Sequence, residues 1–221
     1  MVADLTALLS AVADDAPIGL LDDVVADTVG SVIGVDEVGR GPIAGDTVVA
    51  AVRLPAGTAL PEALAGLNDS KKLTPKRREA LADAIHQHAD VRLVACSAAV
   101  IDEIGIATAV RSSMRTAVKR LAGDVVLVDA EELGPMDGPD GPRQSLGVVR
   151  GDGRSRAIAA ASIVAKVARD AMAVDWERQY PGWGFDRHRG YPTPAHLAVL
   201  AERGPTPLHR RSFAPLAEHA P

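Results

Sequence analysis

Two apolar runs in this chain stop on carboxylates, and this pattern constrains the fold more than any other feature. The run Ser31-Val32-Ile33-Gly34-Val35 leads directly into Asp36 and Glu37, and "DVVLVDA" (124–130) ends on Asp129. A third acid, Asp152, follows the apolar stretch "SLGVVRG". A carboxylate buried at a strand end is costly unless it is paired or metal-bound. One such aspartate alone is best read as a turn or helix cap. Several converging at neighbouring strand ends would repel one another unless a divalent cation neutralised them. Oxygen-only ligands, with no Cys or His cluster beside them, point to a hard cation, Mg²⁺ or Mn²⁺, rather than zinc. Such clusters suit phosphodiester hydrolysis.

Adjacent strand residues face opposite ways, so Asp36 and Glu37 cannot both face one ion on a continuing strand. The Gly39, Gly41 and Pro42 that follow predict that the pleat breaks at Glu37 and brings both acids to one side.

The rest of the chain reads as alternating elements. Strands are expected near 31–36 and over "DTVVAAVRL" (46–54) and "VRLVACSAAV" (91–100). "LTPKRREALADAIHQHA" predicts a helix capped by Thr74, with Pro75 in its first turn. "IATAVRSSMRTAVKRL" (106–121) has helical spacing of its apolar residues. The Gly/Pro-rich segment 131–144 reads as a loop without regular structure, and 145–153 as a brief strand ending at Asp152. The strongest helix follows Ser155, a candidate N-cap, and the remainder is a polar, basic tail with short helical pieces. Strands first and then alternation with helices imply an α/β layered domain with a mixed sheet. The expected division is an acidic N-terminal extension (1–30), a catalytic domain (31–175) and a C-terminal helical, basic segment (176–221).

Composition adds bounds rather than identity. At 221 residues with 47% hydrophobic and 24% charged content, the chain can bury an ordinary soluble core. Aromatic content of 3% leaves that core to Ala, Val, Leu and Ile. The lone Cys96 reads as a buried thiol, which excludes a disulfide framework within the chain. No leader and no run of membrane-spanning length is evident, so a cytoplasmic protein that does not engage a membrane is expected. The net charge of -5 conceals an asymmetry, because residues 1–35 hold six aspartates and no Lys or Arg. Residues 176–213 carry six arginines against three acids, a local basic surface compatible with a polyanion.

The segments "GVDEVGRGPIAG", "LNDSKKLTPKRRE", "VDA", "RGD", "AASIVAKVARD" and "HRGYPTPAHL…HRRSF" stand in the order and at the spacing of bacterial ribonuclease HII, the type 2 ribonuclease H. The chain resembles that family from about residue 30 to 215. The resemblance implies an RNase H-like mixed sheet flanked by helices, with a small C-terminal helical segment. It implies a metal-dependent endoribonuclease that cuts the RNA strand of RNA–DNA hybrids. It also implies nicking on the 5′ side of a ribonucleotide embedded in duplex DNA, leaving 3′-hydroxyl and 5′-phosphate ends. The family's metal-binding acids fall on Asp36, Glu37, Asp129 and Asp152. Asp170 is a rival for the last place, but it lies about four turns into the long helix. Gly39, Arg40 and Gly41 take the role of reading the ribose 2′-hydroxyl and its phosphate, which suits glycines that admit a sugar to the backbone. Tyr191 resembles the tyrosine that stacks on the following deoxynucleotide sugar. Ser70, Lys71 and Lys72, with Ser162 and Lys166 four apart on one helix face, are candidate phosphate contacts. His188, His196 and His209 are expected to support packing or phosphate contacts rather than ligate metal. The expected state is a monomer.

Three departures stand out: Ala130 where the family often has glycine, the extra acid Asp46, and a long loop 131–144. Two other functions remain open at this stage, a hybrid-binding module without catalysis and another metal-dependent phosphoesterase on the same fold. All four acids are present, which disfavours the first. A 2′-hydroxyl reader is useless to a small-molecule phosphatase, which disfavours the second.

Overall fold

A computed structural model describes residues 5–55 and 60–219; Asp4 and the first residues of the expected N-terminal helix lie outside the described residues, as does the end of the C-terminal segment. The chain runs α1 (Leu5–Ala11), α2 (Leu20–Val29), β1 (Val32–Val38), β2 (Thr47–Arg53), α3 (Pro75–His88), β3 (Asp90–Cys96), α4 (Ala98–Ile104), α5 (Ile106–Lys119), β4 (Val125–Asp129), β5 (Met136–Gly138), β6 (Gly141–Val148), α6 (Arg156–Gln179), α7 (Phe185–His188) and α8 (Pro194–Arg203). One sheet has the strand order β3-β2-β1-β4-β6-β5. Pairing of β1 with β2, β2 with β3 and β5 with β6 is antiparallel, whereas β4 lies parallel to both β1 and β6. The sheet is therefore mixed, with helices on both faces, as the order of elements implied.

The two faces have separate cores. Val48, Ala50 and Val52 of β2 pack with Leu81 and Ile85 of α3 and the Ala/Ile/Val surface of α6. Ile33, Val35, Val49, Val126 and Val128 face α5 through Val110, Met114 and Val118. Helix α6 approaches β1 so closely that a β-carbon at Gly34 would stand 2.0 Å from the Ala157 carbonyl carbon, so only glycine fits there. The few aromatic residues gather away from the sheet, where Trp176, Trp183 and Phe185 pack under the C-terminal segment. Among the described residues no helix is long and apolar enough to cross a membrane.

Helices α3 and α6 begin where their caps predict, with Thr74 accepting from the Arg77 N–H and Ser155 from the Ile158 N–H. Other expectations need correction. The apolar run after β3 is not strand to residue 100, because Ser97 caps a separate helix, α4. The 131–144 segment is not structureless, since β5 and β6 form a hairpin across Pro139 and Asp140. Pro142 is tolerated because it precedes the stretch, from Gln144 onward, that pairs with β4. Strand β6 stops at Val148, so Asp152 sits on a short 3₁₀ turn, Gly151–Gly153, just before α6.

The N-terminal segment is tied into the sheet layer rather than appended to it. Leu21 and Val25 of α2 pack with Leu127, Leu146 and Ile158. Asp22 is buried against the start of α6 and accepts from the Ser155 hydroxyl at 2.8 Å and the Arg156 N–H at 2.8 Å. A carboxylate there satisfies orphan N–H groups and meets the positive end of the helix dipole.

Candidate active site

The strand ends deliver the acids, but not through the broken pleat expected at Glu37. Strand β1 stays paired with β2 through Val38, with Asp36 opposite Ala50 and Glu37 opposite Val49. Asp36 therefore shares the α6 face with Gly34, whereas Glu37 follows Val35 on the α5 face. Asp129 stands one residue past the last parallel pair, Val35 opposite Val128, which places it beside Asp36 at the adjoining strand end. Its carboxylate accepts from the Gly151 N–H at 2.7 Å, which ties β4 to the turn carrying Asp152.

The acids share one electrostatic environment. Asp36 is 7% exposed, and burial, then the charges of Glu37 and Asp129, push its carboxyl well above the usual carboxylate range. Burial also raises Glu37; Arg40 opposes the rise, while Asp129 and Glu131 add to it. Asp152 is raised by burial, then by Asp69 and Asp129, with Lys71 acting against it. Asp129 is thus felt by all three of the other candidates. As placed, no group of three or more His, Cys, Asp or Glu side chains among the described residues stands closely enough to enclose a cation. The donor chemistry nonetheless fits a hard divalent ion, being carboxylate oxygens alone at a partly dry corner.

Around this cluster several expected roles change. Arg40, expected at the ribose and its phosphate, meets acids instead. It forms ion pairs with Glu37 at 3.1 Å and with Glu131 at 2.9 Å, and Glu131 also binds Arg111. Ser162 is buried, and its hydroxyl is engaged with Ser70 at 2.9 Å and with Asp36, so it supports the acid rather than facing a phosphate. Lys166 pairs with Asp170 at 2.7 Å, one turn along α6. Lys71 is mostly exposed and leans on Asp152 at 3.8 Å, and Lys72 beside it is exposed. Asp69 precedes these lysines, accepts from the Lys71 N–H at 2.9 Å and contacts the Asp152 carboxyl. The motif "NDSKK" contained this signal, because an acid directly before the candidate lysines is placed to orient them.

The loop after β1 is built from inside by two buried arginines that the sequence reading passed over. Arg169 of α6 donates to the carbonyls of Asp46 at 2.8 Å, Arg189 at 2.9 Å and Ala44 at 3.3 Å. Arg210 donates to Gly39, Arg40 and Gly45. Burial, and then the nearby Arg169, lower the Arg210 pKa to about 10 against the opposing charge of Asp46. The unexpected acid Asp46 is therefore the negative charge serving two interior cations. Gly39 has φ +96°, and a β-carbon there would meet the Arg169 Nε at 2.3 Å. Tyr191 is half-exposed, with its Cε1 3.7 Å from where a β-carbon on Gly41 would stand, so the loop and the tyrosine share a surface.

Comparison with known proteins agrees with this architecture. The family model for ribonuclease HII matches residues 33–216. Ribonuclease HII of Citrifermentans bemidjiense is 47% identical over 193 residues, covering 86% of this chain and 80% of its own. The crystal structure of ribonuclease H2 from Pyrococcus horikoshii superposes with a TM-score of 0.72 at 25% identity, covering 85% of this chain and 96% of that one. The Bst-RNase HIII structure in complex with Mn²⁺ has the same fold, with a TM-score of 0.59 at 20% identity, covering 94% and 74%.

Proposed function

The chain belongs to the ribonuclease HII family and is a ribonuclease H acting on RNA–DNA hybrids, and from that premise we propose that Asp36, Glu37, Asp129 and Asp152 hold divalent ions for phosphodiester cleavage. The observation that carries this is the meeting of Asp36 and Asp129 at adjoining parallel strand ends, with the Asp152 turn bonded behind them. Their mutual charge raises the cost of ionisation, which a bound cation would reverse. When bound, a pair of Mg²⁺ or Mn²⁺ ions supplies an activated water and stabilises the leaving 3′ oxygen.

The chain's own groups then bind and orient. The Ser162 hydroxyl, bonded to Ser70, favours the charged Asp36 against its burial, while the Gly151 N–H fixes the carboxylate of Asp129. Lys71 and Lys72 are placed to meet phosphates of the cut strand. Gly39, Arg40 and Gly41, with Tyr191 beside them, form the surface that senses the ribose 2′-hydroxyl. Arg40 holds Glu37 through Nε and Glu131 through Nη2, and its half-exposed guanidinium is placed to meet a phosphate beside them. Glu37 faces the opposite side of β1 from Asp36, so its place in the ion set rests on the family resemblance and on the charge it shares with Asp36 and Asp129, not on a kinked strand.

A duplex DNA carrying one ribonucleotide tests the reading. It should be nicked on the 5′ side of that residue, only with a divalent ion present, while an all-DNA duplex stays whole. Cleavage that persists after both Asp36→Asn and Asp129→Asn would overturn the assignment of the acids.

A further inference from the structure

We propose that Arg210 and the hydrogen-bonded histidines His209 and His196 are positioning residues for ribonucleotide discrimination, setting Tyr191 against the Gly39–Gly45 loop. This rests on the reading of that loop and Tyr191 as the ribose-sensing surface. Residues 39–45 lie between two glycines with positive φ and have little conformation of their own. The Arg210 side chain, 0% exposed, closes them from within: Nη2 donates to Gly39 O and Gly45 O at 2.7 Å each, Nη1 to Arg40 O at 3.0 Å, and Nε to Gly45 O at 3.0 Å. The Arg210 N–H donates to Ile43 O at 2.8 Å, and Ala44 pairs with His209 as an isolated antiparallel bridge. A planar fork carries its N–H groups on three separate nitrogens and so spans these three carbonyls, which the single nitrogen of a lysine cannot.

The adjacent His209 works toward Tyr191. Its Nδ1 lies 3.0 Å from the Thr206 N–H and accepts from it, so the ring proton resides on Nε2. That proton is donated to His196 Nε2 at 3.0 Å, which leaves His196 to donate from Nδ1 to Tyr191 O at 2.8 Å. His188 stacks on His196 with centroids 4.1 Å apart, and its Nδ1 accepts from the Gly190 N–H at 3.1 Å. The circuit closes where the Ile43 N–H donates to Gly190 O at 2.9 Å. On the far side, Asp102 of α4 accepts from the N–H groups of Arg211 and Ser212, anchoring the segment to the body of the molecule. Asp36, Asp129 and Asp152 are held by the sheet and the turn before α6, outside this circuit, and only Glu37 touches it, through Arg40. Disturbing it should therefore move recognition more than chemistry.

Steady-state kinetics of the intact chain on the single-ribonucleotide duplex, at saturating Mn²⁺, tests this. His196→Ala and Arg210→Lys should each raise KM about tenfold or more, the scale of one hydrogen bond to a charged or buried polar group, with the smaller change in kcat. His196→Asn, whose amide can donate in place of Nδ1–H, should restore KM to within about threefold of the parent. KM does not depend on how much of a preparation is folded, so misfolding shows only in apparent kcat. If Arg210→Lys yields no folded protein, the His196 pair decides. Tyr191→Ala separates the two levels of inference. If it raises KM while His196→Ala and Arg210→Lys leave KM within about twofold, the ribose-sensing surface stands and the positioning role falls. If Tyr191→Ala itself leaves KM unchanged, the sensing surface falls and the positioning role with it.

Discussion

Asp36 and the loop that begins at Gly39 are three residues apart in sequence, yet they are held by opposite means. Asp36 and Asp129 are placed by strand pairing, and their positions follow from the register of β1 against β4. The Gly39–Gly45 loop has no ladder; it is held by guanidinium groups from residues 169 and 210 that reach its carbonyls. The first region is built from backbone geometry and strained by charge. The second is built from side chains and strained by nothing except their absence. Removing an acid should therefore cost function and relieve the fold, whereas removing an interior arginine should cost the fold first.

The largest expected effect sharpens the first half of that contrast. Asp36→Asn should reduce cleavage on the order of 10³-fold or more while raising the melting temperature measured without divalent ions. The folded state holds the Asp36 proton to higher pH than the unfolded chain, so stability contributed by this group falls as pH rises above the ordinary value of 3.8. Asparagine removes that loss. A variant that melts lower than the parent at neutral pH would contradict the strained-acid picture.

Arg169→Met tests the second half. It leaves the carbonyls of Ala44, Asp46 and Arg189 without their donor, and should cost about 3 kcal/mol in chemical denaturation. A smaller effect comes from the histidines under Tyr191. His209 is lowered to about 4 by burial and then by His196, and burial also lowers His196. Below pH 6.5 the unfolded chain binds protons that these folded rings refuse. Stability should therefore decline as pH falls from 6.5 toward about 4, and His209→Gln should flatten that slope in urea titrations across the window. The smallest effect belongs to the acid side. Ala130 follows Asp129 with φ +53°, a left-handed conformation that penalises a β-carbon. Ala130→Gly should gain about 0.5–1 kcal/mol, readable as a small rise in melting temperature.

How much was legible follows the same division. The strand-end acids, the Thr74 and Ser155 caps and the long helix are local patterns, and each stands where its pattern predicts. The mixed sheet followed from their order. Asp152 was legible as an acid but not as part of a turn, because an apolar run does not show where its pairing partner ends. Glu37 was misjudged because glycines at 39 and 41 signal a bend without fixing its starting residue. The hairpin in 131–144 was hidden by prolines whose acceptability depends on which neighbour each strand edge faces. Arg210 read as part of a basic surface and Arg169 carried no reading at all, since nothing nearby in sequence tells of carbonyls more than a hundred residues away. Asp46 looked anomalous for the same reason.

The pairing of Ala44 with His209 has a consequence for the order in which the protein becomes competent during synthesis. Strand β1, which carries Asp36, is made early, and its sheet neighbours β2, β3 and β4 are complete by Asp129. The loop next to it cannot settle until Leu208, His209 and Arg210 have left the ribosome, some 165 residues later. A nascent chain can thus assemble its acidic strand ends while the neighbouring loop still lacks its clamp. The loop beside the acids is thus completed by a segment remote from it in sequence, whereas the acid-bearing strand ends are set by pairing among the strands themselves.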